Sequence, residues 1–288
     1  YFNSGAVLYI PDNVEITEPI EGIFYQDSDS DVPFNKHIMI IAGKNSKISY
    51  LERLESRGEG SAKATANITV EVIARSGAQV KFAAIDRLGE NVTAYISRRG
   101  KLGNDASIDW AIGVMNEGNV VADFDSDLIG NGSHADLKAV ALSSGRQVQG
   151  IDTRVTNYGC NSIGNILQHG VILEKATLTF NGIGHIIKGA KGADAQQESR
   201  VLMLSDQARS DANPILLIDE NDVTAGHAAS IGQVDPEDMY YLMSRGLDKA
   251  TAERLVVRGF LGSVIVEIPV KEVRDEMIAT IEEKLSKR

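Results

Sequence analysis

Short stretches of this chain begin alike at a nearly constant interval. Gly77-Ala78-Gln79-Val80-Lys81-Phe82 is matched 28 residues on by Asp105-Ala106-Ser107-Ile108-Asp109-Trp110, and 27 further on by Gly132-Ser133-His134-Ala135-Asp136-Leu137. Gly159-Cys160-Asn161-Ser162-Ile163 lies another 27 on, and Lys175 to Phe180 and Gln207 to Ser210 carry fainter echoes. Each unit is a small or polar turn followed by alternating apolar residues. A fixed period of this size points to stacked coils, in which no coil buries its apolar face alone and the stack supplies the core. The rest of the first 190 residues follows the same grammar. Ile68, Val70 and Val72 alternate with polar residues, and Pro11-Asp12-Asn13 and Gly43-Lys44-Asn45 mark turns. Helical spacing of three and four is missing. The reading is a mainly β chain built as a solenoid, a β-helix. A β-sandwich with chance similarity between strands is the open alternative.

The grammar changes after Ile231. Asp235-Pro236-Glu237 supplies an N-cap, a first-turn proline and an acidic first turn; Met239, Leu242 and Met243 follow as a helical stripe, closed by Gly246. Asp248 caps a second helix whose Ala252, Leu255, Val256 and Phe260 suit one buried face. Pro269 opens a third, with Val273, Met277, Ile281 and Leu285 recurring every four residues. That last stripe either docks on the chain's own core or faces a partner. The division expected is a β-helix core over 1–233 and a C-terminal helical domain over 234–288.

Composition narrows the function. The net charge of −11 argues against nucleic acid or an anionic membrane as main partner. No apolar run approaches the roughly 18 residues of a membrane span. A single cysteine, Cys160, makes no internal disulfide and holds no cluster by itself, which fits a reducing, cytoplasmic compartment. The chain starts at Tyr1 and not at Met, which reads as a missing beginning. There is no phosphate loop, no nucleophile elbow and no His-Glu-x-x-His helix. Gly182-Ile183-Gly184 and Gly130-Asn131-Gly132 lack the dinucleotide fingerprint and read as turns.

The least generic stretch is Ala193 to Gln233. Ser205, Asp206, Ala208, Asp211, Asn213 and Pro214 read as one turn-rich run, and Asp219 to Asp222 as an acidic turn. Four histidines (His37, His134, His169, His185) are scattered and read as ordinary core or surface residues. His227 differs: it follows the acidic turn, and small neighbours leave its ring accessible. An imidazole with nearby carboxylates can hold divalent iron, but one histidine needs further ligands from a second chain. Cys160 reads as a ligand, a sulfur acceptor or a small buried hydrophobe, the last being the plainest.

The run Glu198-Ser199-Arg200-Val201-Leu202-Met203-Leu204-Ser205, followed by Ala212-Asn213-Pro214, Asp222-Val223, His227-Ala228-Ala229, Ile231-Gly232-Gln233 and Ser244-Arg245-Gly246, resembles the SufB/SufD family of the SUF iron–sulfur cluster assembly system. It is similar to the SufD-type branch, since Ala228 stands where SufB-type chains carry a glutamate after the histidine. The resemblance implies a right-handed parallel β-helix and a C-terminal helical domain. It implies pairing with a SufB-type subunit through the β-helices and binding of a SufC-type ATPase through about Asp235 to Phe260, with Asp235, Met239, Leu242, Arg245, Gly246, Leu255 and Phe260 in that contact region. It also implies that His227 is the interface ligand for iron or a nascent iron–sulfur cluster, transient and shared with the partner, and that the chain is a scaffold and not an enzyme. Whether the isolated chain forms a homodimer through the surface normally given to the SufB-type subunit is left open by the sequence. A purely structural subunit, a SufB-type scaffold and a β-helix carbohydrate-active enzyme are the alternatives.

Overall fold

The computed structural model describes residues 2–60, 62–266, 268 and 271–286. The chain runs through β1 (Ser4–Ile10), β2 (Ile20–Asp27), β3 (Phe34–Ala42), β4 (Lys47–Arg57), β5 (Ala64–Ala74) and β6 (Gln79–Arg87). It continues through β7 (Val92–Leu102), β8 (Ser107–Val114), β9 (Val120–Leu128), β10 (His134–Ser143) and β11 (Val148–Asn157). The last strands are β12 (Ile163–Ile172), β13 (Thr177–Ile186), β14 (Asp194–Met203), β15 (Arg209–Ile218) and β16 (Thr224–Gln233). Odd strands form one parallel sheet and even strands another, each in sequence order. This is a two-faced solenoid: the chain crosses from one sheet to the other at every turn and each coil lies on the one before. The sandwich alternative, which needs antiparallel neighbours, is thereby excluded.

Alternation decides which side chains enter the solenoid. In β7, Val92, Ala94, Ile96, Arg98 and Leu102 point inward and are buried, while Thr93, Tyr95, Arg99 and Lys101 face out. Stacked coils set like residues over one another, as in the ring series Tyr50–Phe82–Trp110, with centroids 5.3 and 4.8 Å apart. One buried position is ionic. Arg98 lies between Glu52 and Asp86, all three at 0% exposure, with Nη2 at 2.7 and 2.6 Å from their carboxylates. Burial pushes the Glu52 carboxyl up, against the pull of Arg98.

The repeat is real, but its phase differs from the sequence reading. Gln79 lies beside Ser107, Ser107 beside His134, and His134 beside Ile163. The last step is therefore 29 residues, and Asn161, not Gly159, takes the place of Gly132. The echoes at Lys175 and Gln207 belong to the opposite sheet, where Thr177 pairs with Arg209. The turn residue of the repeat has a physical job. Asn45, Gly77, Asp105, Gly132, Asn161 and Gly192 all have φ between 54° and 71° and stack at one corner. Asparagine or aspartate alternates with glycine because a Cβ on Gly77 would lie 2.3 Å from Asn45 Oδ1; the same holds for Gly132 over Asp105 and Gly192 over Asn161.

Gly182 and Gly184 are not turn residues; they lie within β13. Likewise only Ser205 to Ala208 is a turn in the run that ends at Pro214. Asp211, Asn213 and Pro214 belong to β15. The proline is tolerated because β15 is an edge strand.

Three helices follow: α1 (Pro236–Ser244), α2 (Lys249–Ile265) and α3 (Lys271–Ser286). Asp235 and Asp248 cap α1 and α2 as read, and Gly246 follows α1 with φ 93°. The opening assigned to Pro269 lies outside the described residues. The stripe Val273, Met277, Ile281 and Leu285 is buried against Ile85, Ala111, Val140 and Leu142 on the outer face of the even-strand sheet, so it docks on its own chain. Lys284 Nζ donates to the carbonyls of Met115 and Asn116 at 2.9 and 2.8 Å and pins the end of α3. In α2 the buried face is Ala252, Val257, Leu261, Val264 and Ile265; Leu255 is 46% exposed. Of the face read from spacing, Ala252 is buried and Phe260 packs against the core, but Leu255 faces out, and Val257, Leu261, Val264 and Ile265 complete the contact instead. Where helices cover it, the even sheet is buried on both faces, and Trp110 to Val114 reads as an unbroken buried run.

Candidate functional site

The solenoid ends without a cover. β15 pairs only with β13 and β16 only with β14, leaving two backbone edges free among the described residues. Side chains that a further coil would bury stand open: Ile218 is 40% and Ile231 41% exposed. His227 lies in β16. Register neighbours form one inward column, Tyr50, Phe82, Trp110, Leu137, Ile166, Gln197 and His227. His227 is its last member and is exposed because no described residue lies beyond it.

The other four histidines each meet a carboxylate. His37 lies 2.7 Å from Glu71, His134 3.0 Å from Asp136, His169 3.3 Å from Glu198 and His185 3.2 Å from Asp219. Among the described residues His227 has no such partner. The acidic turn before it does not gather round it either. Asp219 is taken by His185, and the Glu220 carboxylate accepts the backbone N–H groups of Gly189 and Asn221, which hold its pKa down. No three metal-binding side chains converge anywhere among the described residues. Among the described residues the open edge thus presents one imidazole without a converging ligand set.

Cys160 is not a buried hydrophobe. It is half-buried at a coil corner, with Sγ 3.4 Å from the Gly189 carbonyl, and is not brought to His227. The outer face of the even sheet beside β16 carries a groove of 580 Å³ lined by Asp136, Lys138, Asn165, Gln196 and Glu198. At its edge His169 is buried between Glu198 and α2. Its ring stacks on Phe260 at 5.1 Å, and burial lowers its pKa.

The helical surface is the second candidate. No residue of α1 is buried. Tyr240, Tyr241 and Met243 are exposed, with Leu255 of α2. Met239 and Leu242 are half-buried, and Met239 lines one pocket with Met203 and Leu204. Of the residues assigned to this surface, Asp235 and Gly246 serve as caps, Arg245 lies over the Tyr241 ring at 4.9 Å, and Phe260 turns inward to His169. The tyrosine pair was missed because it lies off the apolar stripe, although two adjacent aromatics on a helix without a buried face were the available signal. No helix among the described residues is long and apolar enough to cross a membrane.

Comparison with known proteins adds independent findings. Residues 24–260 match the family model described as SUF system FeS cluster assembly, SufBD core domain. The chain is 46% identical over 284 residues to the iron–sulfur cluster assembly protein SufD of Bacillus subtilis, covering 98% of this chain and 64% of that protein. It is 24% identical over 270 residues to a SufBD family protein of Staphylococcus epidermidis, covering 94% of this chain and 58% of the relative. A SufBD family protein of Mycobacterium leprae is 27% identical over 268 residues, 30% of its own length. The chain therefore spans less than two thirds of the curated relatives it matches.

Proposed function

Because this chain belongs to the SufBD family of the SUF iron–sulfur cluster assembly system, we infer that it is a SufD-type scaffold subunit working in the cytoplasm, whose open coil is completed by a SufB-type partner. The observation that carries this reading is the uncovered pair β15 and β16 with His227 at the end of the inward column. Free parallel edges and exposed inward isoleucines suit a partner that continues both sheets. A second copy of the chain fits the same edges, so a homodimer is the expected state when the partner is absent.

Iron and sulfide are the cargo of this site. His227 supplies one imidazole nitrogen, and the remaining ligands come from the SufB-type subunit, since the described residues gather no set of their own. The role is non-catalytic in the chain itself. A SufC-type ATPase docks on Tyr240, Tyr241, Met243 and Leu255, the unburied side of α1 and α2. Movement of α2 reaches the last coils through Phe260 on His169 and His169 on Glu198, whose register neighbour in β16 is Ala228. ATP-driven closure of two SufC-type subunits then shifts the population between a closed and an open interface, which requires that the ATPase contact the two states differently.

The test is anaerobic purification of the co-expressed SufB-, SufC- and SufD-type subunits, with wild-type His227 and with His227→Ala. An intact complex with sharply reduced iron and acid-labile sulfide supports the ligand role. An intact complex with unchanged iron and sulfide makes the chain a purely structural partner. Failure of the wild-type subunits to associate overturns the assembly itself.

A further inference from the structure

A side-chain ladder on the outer face of the odd-strand sheet runs to the open edge. Asp123 of β9, Asp152 of β11, Asn181 of β13 and Asn213 of β15 are successive register neighbours. Phe180 and Gly182, on either side of Asn181, are buried inside the coil, so the ladder points to solvent, and Asn213 is exposed. The bonds along it run one way. Asn181 Nδ2 donates to Asp152 Oδ1, and Asn213 Nδ2 donates to Asn181 Oδ1 at 2.9 Å.

That direction has a cause. A carboxylate only accepts, whereas an amide donates from its nitrogen and accepts at its oxygen. Asp152 therefore draws the NH2 group of Asn181, which turns the Asn181 oxygen to the following coil. That oxygen in turn draws the NH2 group of Asn213. The reverse arrangement would set oxygen against oxygen at Asp152. Coils repeat one another's geometry, so the Asn213 oxygen takes the place that the Asn181 oxygen holds one coil earlier. There Asn181 meets β15, whereas β15 itself pairs only with β13 among the described residues.

A strand added to β15 sets one of its side chains opposite Asn213, since cross-strand neighbours on one face lie about 5 Å apart. Main-chain groups alone do not mark a register, because they are the same at every residue; side chains give the specificity of strand addition. We propose that Asn213 selects the strand that joins β15: its Oδ1, turned outward by Asp152 through Asn181, takes an N–H or O–H donor from the side chain opposite it on the SufB-type partner and rejects a carboxylate there. The identity of the partner rests on the reading of the open end given above; the direction of the ladder does not.

The experiment titrates the full-length chain against the SufB- and SufC-type subunits, as wild type and as four variants. Asp152 and Asn213 are both exposed, which keeps the fold out of the comparison. Asn213→Ala removes the oxygen and should weaken binding roughly 3- to 10-fold. Asn213→Asp keeps an acceptor at the edge and should bind as well as wild type or more tightly. Asp152→Lys puts a donor where the ladder needs an acceptor; it reverses both amides from two strands away and should weaken binding by the same factor as Asn213→Ala. Asp152→Asn should bind as wild type, because Asp123 orients the new amide the same way. Neutron diffraction from the deuterated chain should show the Asn213 nitrogen on the Asn181 side. The opposite orientation, wild-type affinity in Asp152→Lys, or equal losses in Asn213→Asp and Asn213→Ala overturns the proposal. A wild-type chain that does not bind the SufB-type subunit overturns the partner reading itself. Variants that change only self-association give the edge to a second copy and overturn the partner named here.

Discussion

The same inward position has two fates one coil apart. Ile186 in β13 is 0% exposed, and its register neighbour Ile218 in β15 is 40% exposed; Val201 in β14 is 2% exposed and Ile231 in β16 41%. The local sequences differ little in character. What differs is the presence of a next coil. In a solenoid each coil is covered by its neighbour, so the last one keeps the pattern of a core and the accessibility of a surface. The proposed site lies where the repeat stops: His227 occupies a core position that no described residue closes.

The most severe way to probe the closed interior is Arg98→Ala. It leaves the Glu52 and Asp86 carboxylates buried without their cation, and should cost about 3–5 kcal/mol in urea unfolding. His227→Ala, made at the open end, should stay within about 0.5 kcal/mol. Next is the matched pair Ile186→Ala and Ile218→Ala. The first should cost about 2–5 kcal/mol. The second should cost well under half of that in a monomer, since much of its surface is already in water. Equal costs would mean that the last coil is covered in solution, and concentration dependence of the unfolding midpoint would identify a second copy as the cover.

A smaller effect belongs to the helices. Asp248→Ala removes the side chain that accepts Thr251 N–H and should lower stability by about 1 kcal/mol, without touching either end of the solenoid. The smallest concerns pH. Burial and the neighbouring Asp123 push the Asp125 carboxyl up to about 6, against Arg154 and Arg99. The folded chain then binds this proton more tightly than the unfolded chain, so its contribution is complete below about pH 4 and is lost as pH rises toward 6. That falling component, on the order of 1 kcal/mol after solvent screening, should vanish in Asp125→Asn when urea midpoints are compared at pH 4.5 and 6.5.

Much of the architecture was legible in residue order. Period and alternation pointed to stacked coils because both faces of every coil must be supplied by neighbours. The caps Asp235 and Asp248 were legible because capping is a contact over two or three residues. The failures all involve distance along the chain. Aligning Gly159 with Gly132 missed that asparagine also adopts the left-handed corner, so the register slipped by two. Gly182 and Gly184 looked like turns because their reason, a side chain arriving from another coil, is invisible locally. Leu255 was assigned to the buried face because helical spacing does not say which stripe meets the sheet.

By itself, then, the sequence determined the coil and the helices, since these follow from local pattern and short-range contacts, and its motifs carried the resemblance to the family. Tertiary structure alone decided that the α3 stripe is spent on the chain's own sheet, that the acidic turn turns away from His227, and that Gln197 lies next to it in one column. Those facts depend on register between strands some 30 residues apart, and register is set by the stacking of whole coils, not by any residue's own neighbours.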